Sequence, residues 1–81
     1  MTPFDNEKRN VSFNGKRSSI TLEKVFWEAI DKIAASQSLD AESLLMIYKE
    51  EIPPKSNFSS YVRCRVSQEL LESMTFIDDL L

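Results

Sequence analysis

The sequence has 81 residues, enough for one small domain, and small domains without disulfides or metals commonly oligomerise. It contains one cysteine, Cys64, and no histidine, which excludes an internal disulfide, zinc-finger spacings and histidine acid–base chemistry. We therefore expect no enzyme activity and no cofactor. No apolar run is long enough for a signal peptide or a membrane span, so a cytoplasmic location is expected by default.

The charges are unevenly distributed along the chain. The formal net charge is −3, yet residues 1–17 carry +2 and residues 18–81 carry −5. A basic N-terminal segment followed by an acidic remainder predicts that the protein has at most one surface suited to bind a polyanion such as DNA. The same distribution is also compatible with a solvated surface that binds nothing.

The first segment is polar and shows no hydrophobic period, so residues 1–10 are predicted to form a flexible N-terminal arm. Val11-Ser12-Phe13, with apolar residues at alternate positions, then leads into Asn14-Gly15. This dipeptide tolerates positive φ at both central positions of a type I′ turn. A hairpin is therefore predicted over residues 11–22, with Phe13 opposite Lys16.

The second half of this hairpin alternates polar and apolar residues, as expected for a strand with one buried face. Arg17, Ser19 and Thr21 fall on the polar side, and Ile20 and Leu22 fall on the apolar side. The period then changes to helical spacing without an intervening turn residue. The strand is therefore predicted to run directly into an amphipathic helix.

Helical spacing of apolar residues predicts three helices, over residues 24–37, 40–52 and 57–79. Asp40 is suited to cap the second helix, and Asn57 or Ser59 is suited to cap the third. Pro53-Pro54 ends the second helix, because proline cannot donate a backbone hydrogen bond. The residues after Leu70 are too apolar for a free tail and are predicted to pack against the domain itself or a partner.

A single copy of this arrangement leaves strand edges unpaired, and a lone hairpin is only marginally stable in water. Two copies can pair their strands antiparallel and close a shared core beneath the ribbon. We therefore predict a homodimer, mainly α with a short N-terminal β-ribbon and a third C-terminal helix, with a single domain over residues 11–81. The predicted dimer core consists of Ile20, Leu22, Phe26, Trp27, Ile30 and Leu44.

A two-stranded ribbon fits the major groove of B-DNA, where short polar side chains reach base edges. The predicted base contacts are Arg17, Ser19 and Thr21. Lys16 is better placed to contact a phosphate, because it is a compact point charge. The start of the second helix, at Asp40 and Ala41, is a further predicted phosphate contact, because the free backbone N–H groups there point outwards.

A combination of short motifs adds to these elements. It consists of Arg17-Ser18-Ser19-Ile20-Thr21-Leu22-Glu23, Phe26-Trp27, Ala29-Ile30, Ile33-Ala34, Asn57-Phe58-Ser59-Ser60 and Arg63. The combination covers residues 11–70 and resembles the ribbon–helix–helix DNA-binding family, in particular a bacterial subgroup with an additional C-terminal helix. The resemblance implies an intertwined homodimer that binds double-stranded DNA, usually as a transcriptional regulator. Lys24, Arg65 and Ser67 depart from the pattern of that subgroup.

The alternative prediction is a protein-interaction or assembly module that keeps the dimer and does not bind DNA. The acidic body and the apolar C-terminal helix favour it, since that helix offers a surface to a protein partner. The hairpin also favours it, because a dimer of hairpins has a four-stranded sheet, wider than the ribbon that the groove admits. An antitoxin-like regulator, whose C-terminal part binds a second protein, is a third prediction.

Overall fold

The computed structural model describes residues 2–80 of the chain, and the side chains of residues 2–73. Its elements are β1 (Asn6–Phe13), β2 (Lys16–Glu23), α1 (Lys24–Ser36), α2 (Ala41–Glu51) and α3 (Phe58–Leu80). The predicted fold class, mainly α with an N-terminal ribbon and a third C-terminal helix, is confirmed. Each helix begins and ends within one residue of its predicted range. The predicted packing of the apolar residues from Met74 to Leu81 lies outside the described side chains.

The predicted hairpin is present, and its strands form a two-stranded antiparallel sheet. Asn14 and Gly15 adopt φ values of 53° and 85°, as a type I′ turn requires. Phe13 pairs with Lys16, as predicted, and the pairing continues without interruption to Asn6 and Glu23. The hairpin therefore extends further towards the N-terminus than the sequence indicated.

The predicted flexible arm over residues 1–10 is wrong for the part that forms β1. The sequence shows no apolar alternation there, because the positions on the side of the strand that faces the helices hold Glu7 and Arg9 instead of apolar residues. The Arg9 guanidinium lies 4.5 Å from the centre of the Trp27 ring and donates to both carboxylate oxygens of Asp31, at 3.0 and 3.1 Å. The charged side chain of Arg9 thus covers the core through a cation–π contact with Trp27. A hydropathy pattern does not predict such a contact, because it counts arginine as a polar residue.

The inner face of the hairpin packs against all three helices and closes a continuous apolar core. Its buried residues are Val11, Phe13, Ile20, Leu22, Trp27, Ile30, Ile33, Ala34, Leu44, Leu45, Tyr48, Val62 and Val66. Leu22, Ile30, Leu45, Tyr48, Val62 and Val66 have no exposed surface. The Trp27 Nε1–H donates to the backbone oxygen of Glu7 at 2.8 Å, so the polar atom of this buried ring is satisfied.

Five of the six residues predicted to form a dimer core are already buried within one chain. Ile20 is the most exposed of these five, at 5%. Phe26 is half-buried, and the Arg63 guanidinium lies 5.9 Å from the centre of its ring. One chain therefore buries these side chains without a partner, and their place in a dimer stays a prediction.

The segment before β1 closes the start of α1. The backbone N–H groups of Lys24 and Val25 donate to the backbone carbonyl oxygens of Asp5 and Pro3, respectively, both at 2.9 Å. These bonds satisfy two of the free N–H groups that every helix has at its N-terminus. They replace a side-chain cap, since Glu23 at the N-cap position makes no capping bond.

The side chain of Glu23 instead connects the hairpin to α3. Its carboxylate accepts hydrogen bonds from Nε and a terminal nitrogen of Arg63, at 2.9 and 3.3 Å. The hydrogen bond from Arg63 lowers the pKa of Glu23 below its usual value. This two-point contact fixes α3 beside the junction of β2 and α1.

The predicted caps of α2 and α3 are confirmed. The Ser43 N–H donates to Asp40 Oδ1 at 2.8 Å, and the Ser60 N–H donates to Asn57 Oδ1 at 2.9 Å. Of the two residues suited to cap α3, the cap is therefore Asn57 and not Ser59.

Candidate nucleic-acid interface

The side of the hairpin that faces away from the helices is entirely polar. Side chains alternate between the two faces of a strand, and directly opposed residues of an antiparallel pair project to the same side. The opposed pairs on this side, which we call the outer face, are Lys8 and Thr21, Asn10 and Ser19, and Ser12 and Arg17. Five of these six side chains are exposed, and Ser12 is half-buried.

The three residues predicted to contact bases therefore lie together in one row. Arg17, Ser19 and Thr21 follow one another along β2 on the outer face, and all three are exposed. Lys16 is separated from them, because it pairs with Phe13 and projects from the opposite side at the tip of the hairpin. The structure thus brings together the predicted base contacts and places Lys16, the predicted phosphate contact, on the other face at the hairpin tip.

Two of the three residues that β1 adds to this face were missed by the sequence prediction, whereas the predicted hairpin already placed Ser12 opposite Arg17. Lys8 and Asn10 lie in the segment predicted to be a flexible arm, and their neighbours show no apolar alternation. One signal could have found them. Counting back from the Asn14-Gly15 turn places Ser12, Asn10 and Lys8 opposite the three predicted base contacts.

One hydrogen bond between side chains joins the two strands on the outer face. The Ser19 hydroxyl donates to Asn10 Oδ1 at 2.8 Å. Both side chains are exposed, so the bond forms where solvent or a ligand can reach it. It fixes the orientation of two polar groups that would otherwise rotate freely.

The outer face is basic although the chain is acidic overall. It carries Lys8 and Arg17, while Glu23, at the end of the row, has its carboxylate bound by Arg63. The net charge of the whole chain is −3. The hairpin is therefore the basic surface that the charge distribution of the sequence predicted.

The start of α2 does not offer the free anion site that the sequence suggested. The backbone N–H of Ser43, donating to the Asp40 carboxylate, lowers the pKa of Asp40. Glu42 adds a second carboxylate, whose Oε1 accepts a hydrogen bond from the Ser12 N–H at 3.2 Å. Ala41 is half-buried against the core. Two carboxylates at one helix end repel a phosphate, so we leave Asp40 and Ala41 out of the candidate interface.

The two edges of the sheet differ. The edge of β1 is covered at Ser12 by Glu42, whereas β2 has no strand beside its outer edge in the described part of the chain. In an antiparallel pair, alternate residues direct their N–H and C=O groups away from the partner strand. On β2 these are Arg17, Ser19 and Thr21, so the row of side chains on the outer face coincides with an open row of backbone groups.

Comparison with known proteins explains this arrangement. The model of the ribbon-helix-helix domain family matches residues 6–70. The chain belongs to the ribbon–helix–helix family. The match begins at the residue where β1 begins, so the whole hairpin is part of the family domain. Members of this family typically bind DNA and form dimers, and the fold is usually without catalysis.

A solved structure has the same fold. An uncharacterized protein from Bordetella pertussis Tohama I matches 90% of this chain with a TM-score of 0.74 and 24% sequence identity. This chain spans 62% of the length of that protein. No curated protein matches the sequence. Among the described residues of this ribbon–helix–helix protein, no helix is both long and apolar enough to cross a membrane.

Proposed function

We propose that this ribbon–helix–helix protein is a cytoplasmic transcriptional regulator that binds specific sequences of double-stranded DNA through the outer face of its hairpin. The observation that carries the proposal is the exposed row of Arg17, Ser19 and Thr21 on a basic two-stranded ribbon. These side chains are exposed on the side of the sheet that faces away from the core, where a ligand can reach them. Membership of a family that typically binds DNA supports the same assignment.

The dimensions and chemistry of the ribbon suit the major groove. The groove is about 12 Å wide and accepts a two-stranded ribbon. Arg17 presents the fork of donors that pairs with the two acceptors of guanine, and Thr21 offers a hydroxyl and a methyl group. Lys8 lies beside Thr21 on the outer face, and Lys16 lies at the tip of the hairpin next to Arg17, so both are near enough to the row to neutralise phosphates.

A homodimer is part of the proposal, and the open edge of β2 is the surface that favours it. Pairing β2 with the same strand of a second copy would satisfy the backbone groups of Arg17, Ser19 and Thr21. The resulting sheet would have four strands, with about 14 Å between the axes of its outer strands. Its two central strands would carry all six predicted base contacts, and each flanking β1 strand would hold Asn10 directly beside Ser19.

Salt dependence of binding tests the proposal directly. The purified protein is incubated with a library of DNA duplexes that share constant ends and a randomised core, and bound duplexes are enriched over several rounds. We expect a preferred sequence whose affinity falls steeply with salt, because each phosphate contact releases counterions. Light scattering of the complex gives the number of chains per duplex, with two expected. Failure to enrich any sequence at low salt would contradict the proposal.

The second candidate function, a protein-interaction module, has two structural observations in its favour. The first is the hairpin itself, because a dimer of hairpins has a four-stranded sheet, which is wider than the ribbon that the groove admits. The second lies on α3. Leu70 and Leu71 on α3 are 48% and 63% exposed, and Cys64 on the same helix is also exposed. Apolar side chains left in water on a helix commonly contact another protein. If a Leu70→Ser and Leu71→Ser double variant keeps the oligomeric state and the protein partners of the original chain, this candidate loses its support.

A further inference from the structure

The cross-strand pair of Asn10 and Ser19 has a chemical property that neither residue has alone. Their side chains are joined by the 2.8 Å hydrogen bond and lie in the middle of the outer face. The bond uses the hydroxyl proton of Ser19 and one lone pair of the Asn10 carbonyl. What remains available to a ligand is the amide N–H₂ of Asn10 as donor and the oxygen of Ser19 as acceptor.

The same result holds if the amide of Asn10 is turned by 180°. The amide then donates to the Ser19 oxygen, the hydroxyl of Ser19 becomes the free donor, and the Asn10 carbonyl becomes the free acceptor. In both orientations the pair presents one donor beside one acceptor. A lone serine hydroxyl can rotate to donate or accept and discriminates poorly, whereas the hydrogen-bonded pair is fixed.

One donor beside one acceptor complements a single base in the major groove. Adenine presents N7 as an acceptor next to its N6–H₂ donor. Guanine presents two acceptors, cytosine presents a donor, and thymine presents an acceptor beside a methyl group. Of the four bases taken singly, adenine alone satisfies both groups of the pair; in a G·C pair the acceptor and the donor lie on different bases, at guanine O6 and cytosine N4–H₂.

We propose that Asn10 and Ser19 act as one unit that recognises adenine, so that β1 contributes to the sequence specificity of the ribbon. The inference rests on the proposed DNA binding and adds a residue and a base preference to it. Asn10 and Ser19 are opposed across β1 and β2 of the same hairpin, so the pair forms within one chain and does not depend on how two chains associate. The neighbouring position, at Arg17, is expected to prefer guanine.

The test uses the selected duplex of the full-length protein. Each A·T pair of the enriched sequence is replaced in turn by G·C, and the affinities are measured by fluorescence anisotropy. We expect one such position in each half-site, at which the original protein loses about 5- to 150-fold in affinity. In Asn10→Ala and in Ser19→Ala this loss should fall to about 2-fold or less, and the double variant should show no further reduction, because the two residues act together.

Two further variants separate recognition from folding. Asn10→Asp keeps an acceptor for the Ser19 hydroxyl and removes both amide donors, so it should lose the adenine preference while the hairpin stays intact. Ser18→Ala removes the hydroxyl of the neighbouring residue. Ser18 is the strand partner of Val11 and lies on the other side of the sheet, so this variant should keep the adenine preference. Thermal unfolding of every variant confirms that the chain is folded.

The outcomes distinguish this inference from the proposed function. If the original protein enriches no sequence, both fail. If it binds a specific sequence and Asn10→Ala or Asn10→Asp retains every base preference of the original protein, DNA binding stands and the role of the pair is overturned. Loss of one A·T preference in the Asn10 and Ser19 variants, but not in Ser18→Ala, supports the inference.

Discussion

The two faces of the hairpin differ in where their side chains find contacts. On the inner face, apolar residues pack into the core, and even the charged Arg9 contacts Trp27 and Asp31. On the outer face, the one side-chain hydrogen bond recorded among the described residues joins Ser19 to Asn10. Packing therefore accounts for the residues of the inner face, whereas those of the outer face are open to solvent or a ligand. Substitutions on the two faces should accordingly affect different measurements.

The largest effect is expected on the inner face, at Trp27. Its ring is 1% exposed, its N–H is bonded to the backbone of β1, and Arg9 lies over it. Trp27→Ala should lower the free energy of unfolding by about 3–5 kcal/mol, through lost burial and the cavity left behind. Urea unfolding followed by circular dichroism measures this, because the variant has no tryptophan to fluoresce. Val25→Ala, at a 41% exposed position, is the control, and equal losses in the two variants would contradict the structure.

The next largest effect is expected on the outer face, in binding and not in stability. Arg17→Ala should weaken binding to the selected duplex by about 1–3 kcal/mol and relax the preference for one guanine. The free energy of unfolding should change by less than about 0.5 kcal/mol, because the side chain is exposed and packs against nothing. Lys32→Ala on α1 removes the same charge away from the hairpin. If both variants lose equal affinity, Arg17 contributes only its charge and reads no base.

Local signals explain what could be predicted from the sequence. The Asn14-Gly15 turn, the alternation in β2 and the prolines after α2 each act over a few neighbouring residues, and the elements that they predicted are present. The first half of β1 depends on a distant contact, since the partner of Arg9 is Asp31, 22 positions away. No local period could have shown that strand.

The candidate site divides in the same way. The β2 half of the outer face was predicted because its own alternation exposes Arg17, Ser19 and Thr21. The β1 half was missed because the position of Asn10 depends on pairing across the sheet. The Asp40 cap was predicted from one residue, but the carboxylate of Glu42 beside it reaches Ser12 over 30 positions and made the helix end unsuitable for a phosphate.

A smaller effect is expected from the charged residue that holds β1 on the core. Arg9→Ala removes the bonds to Asp31, the contact with Glu7 at 2.8 Å and the stacking on Trp27. These groups are partly exposed, so we expect a loss of about 1 kcal/mol in the free energy of unfolding. Its neighbour Lys8 projects to the outer face, and Lys8→Ala should leave stability unchanged and weaken DNA binding. If Arg9→Ala and Lys8→Ala are equally destabilised, the inner face does not contribute more to stability than the outer face.

The smallest effect is expected at Asp40, beside the end of the hairpin, and it appears in the pH dependence of stability. Because the folded chain lowers the pKa of Asp40 below its usual value of 3.8, the carboxylate stabilises the fold above that pH. This contribution should be lost as the pH falls through the lowered pKa, where the group takes up a proton. Asp40→Asn keeps an oxygen that accepts from the Ser43 N–H and cannot titrate. Melting temperatures measured from pH 6 down to pH 2 should therefore fall less in Asp40→Asn than in the original chain. Parallel curves would show that the Asp40 carboxylate does not contribute to stability through its charge.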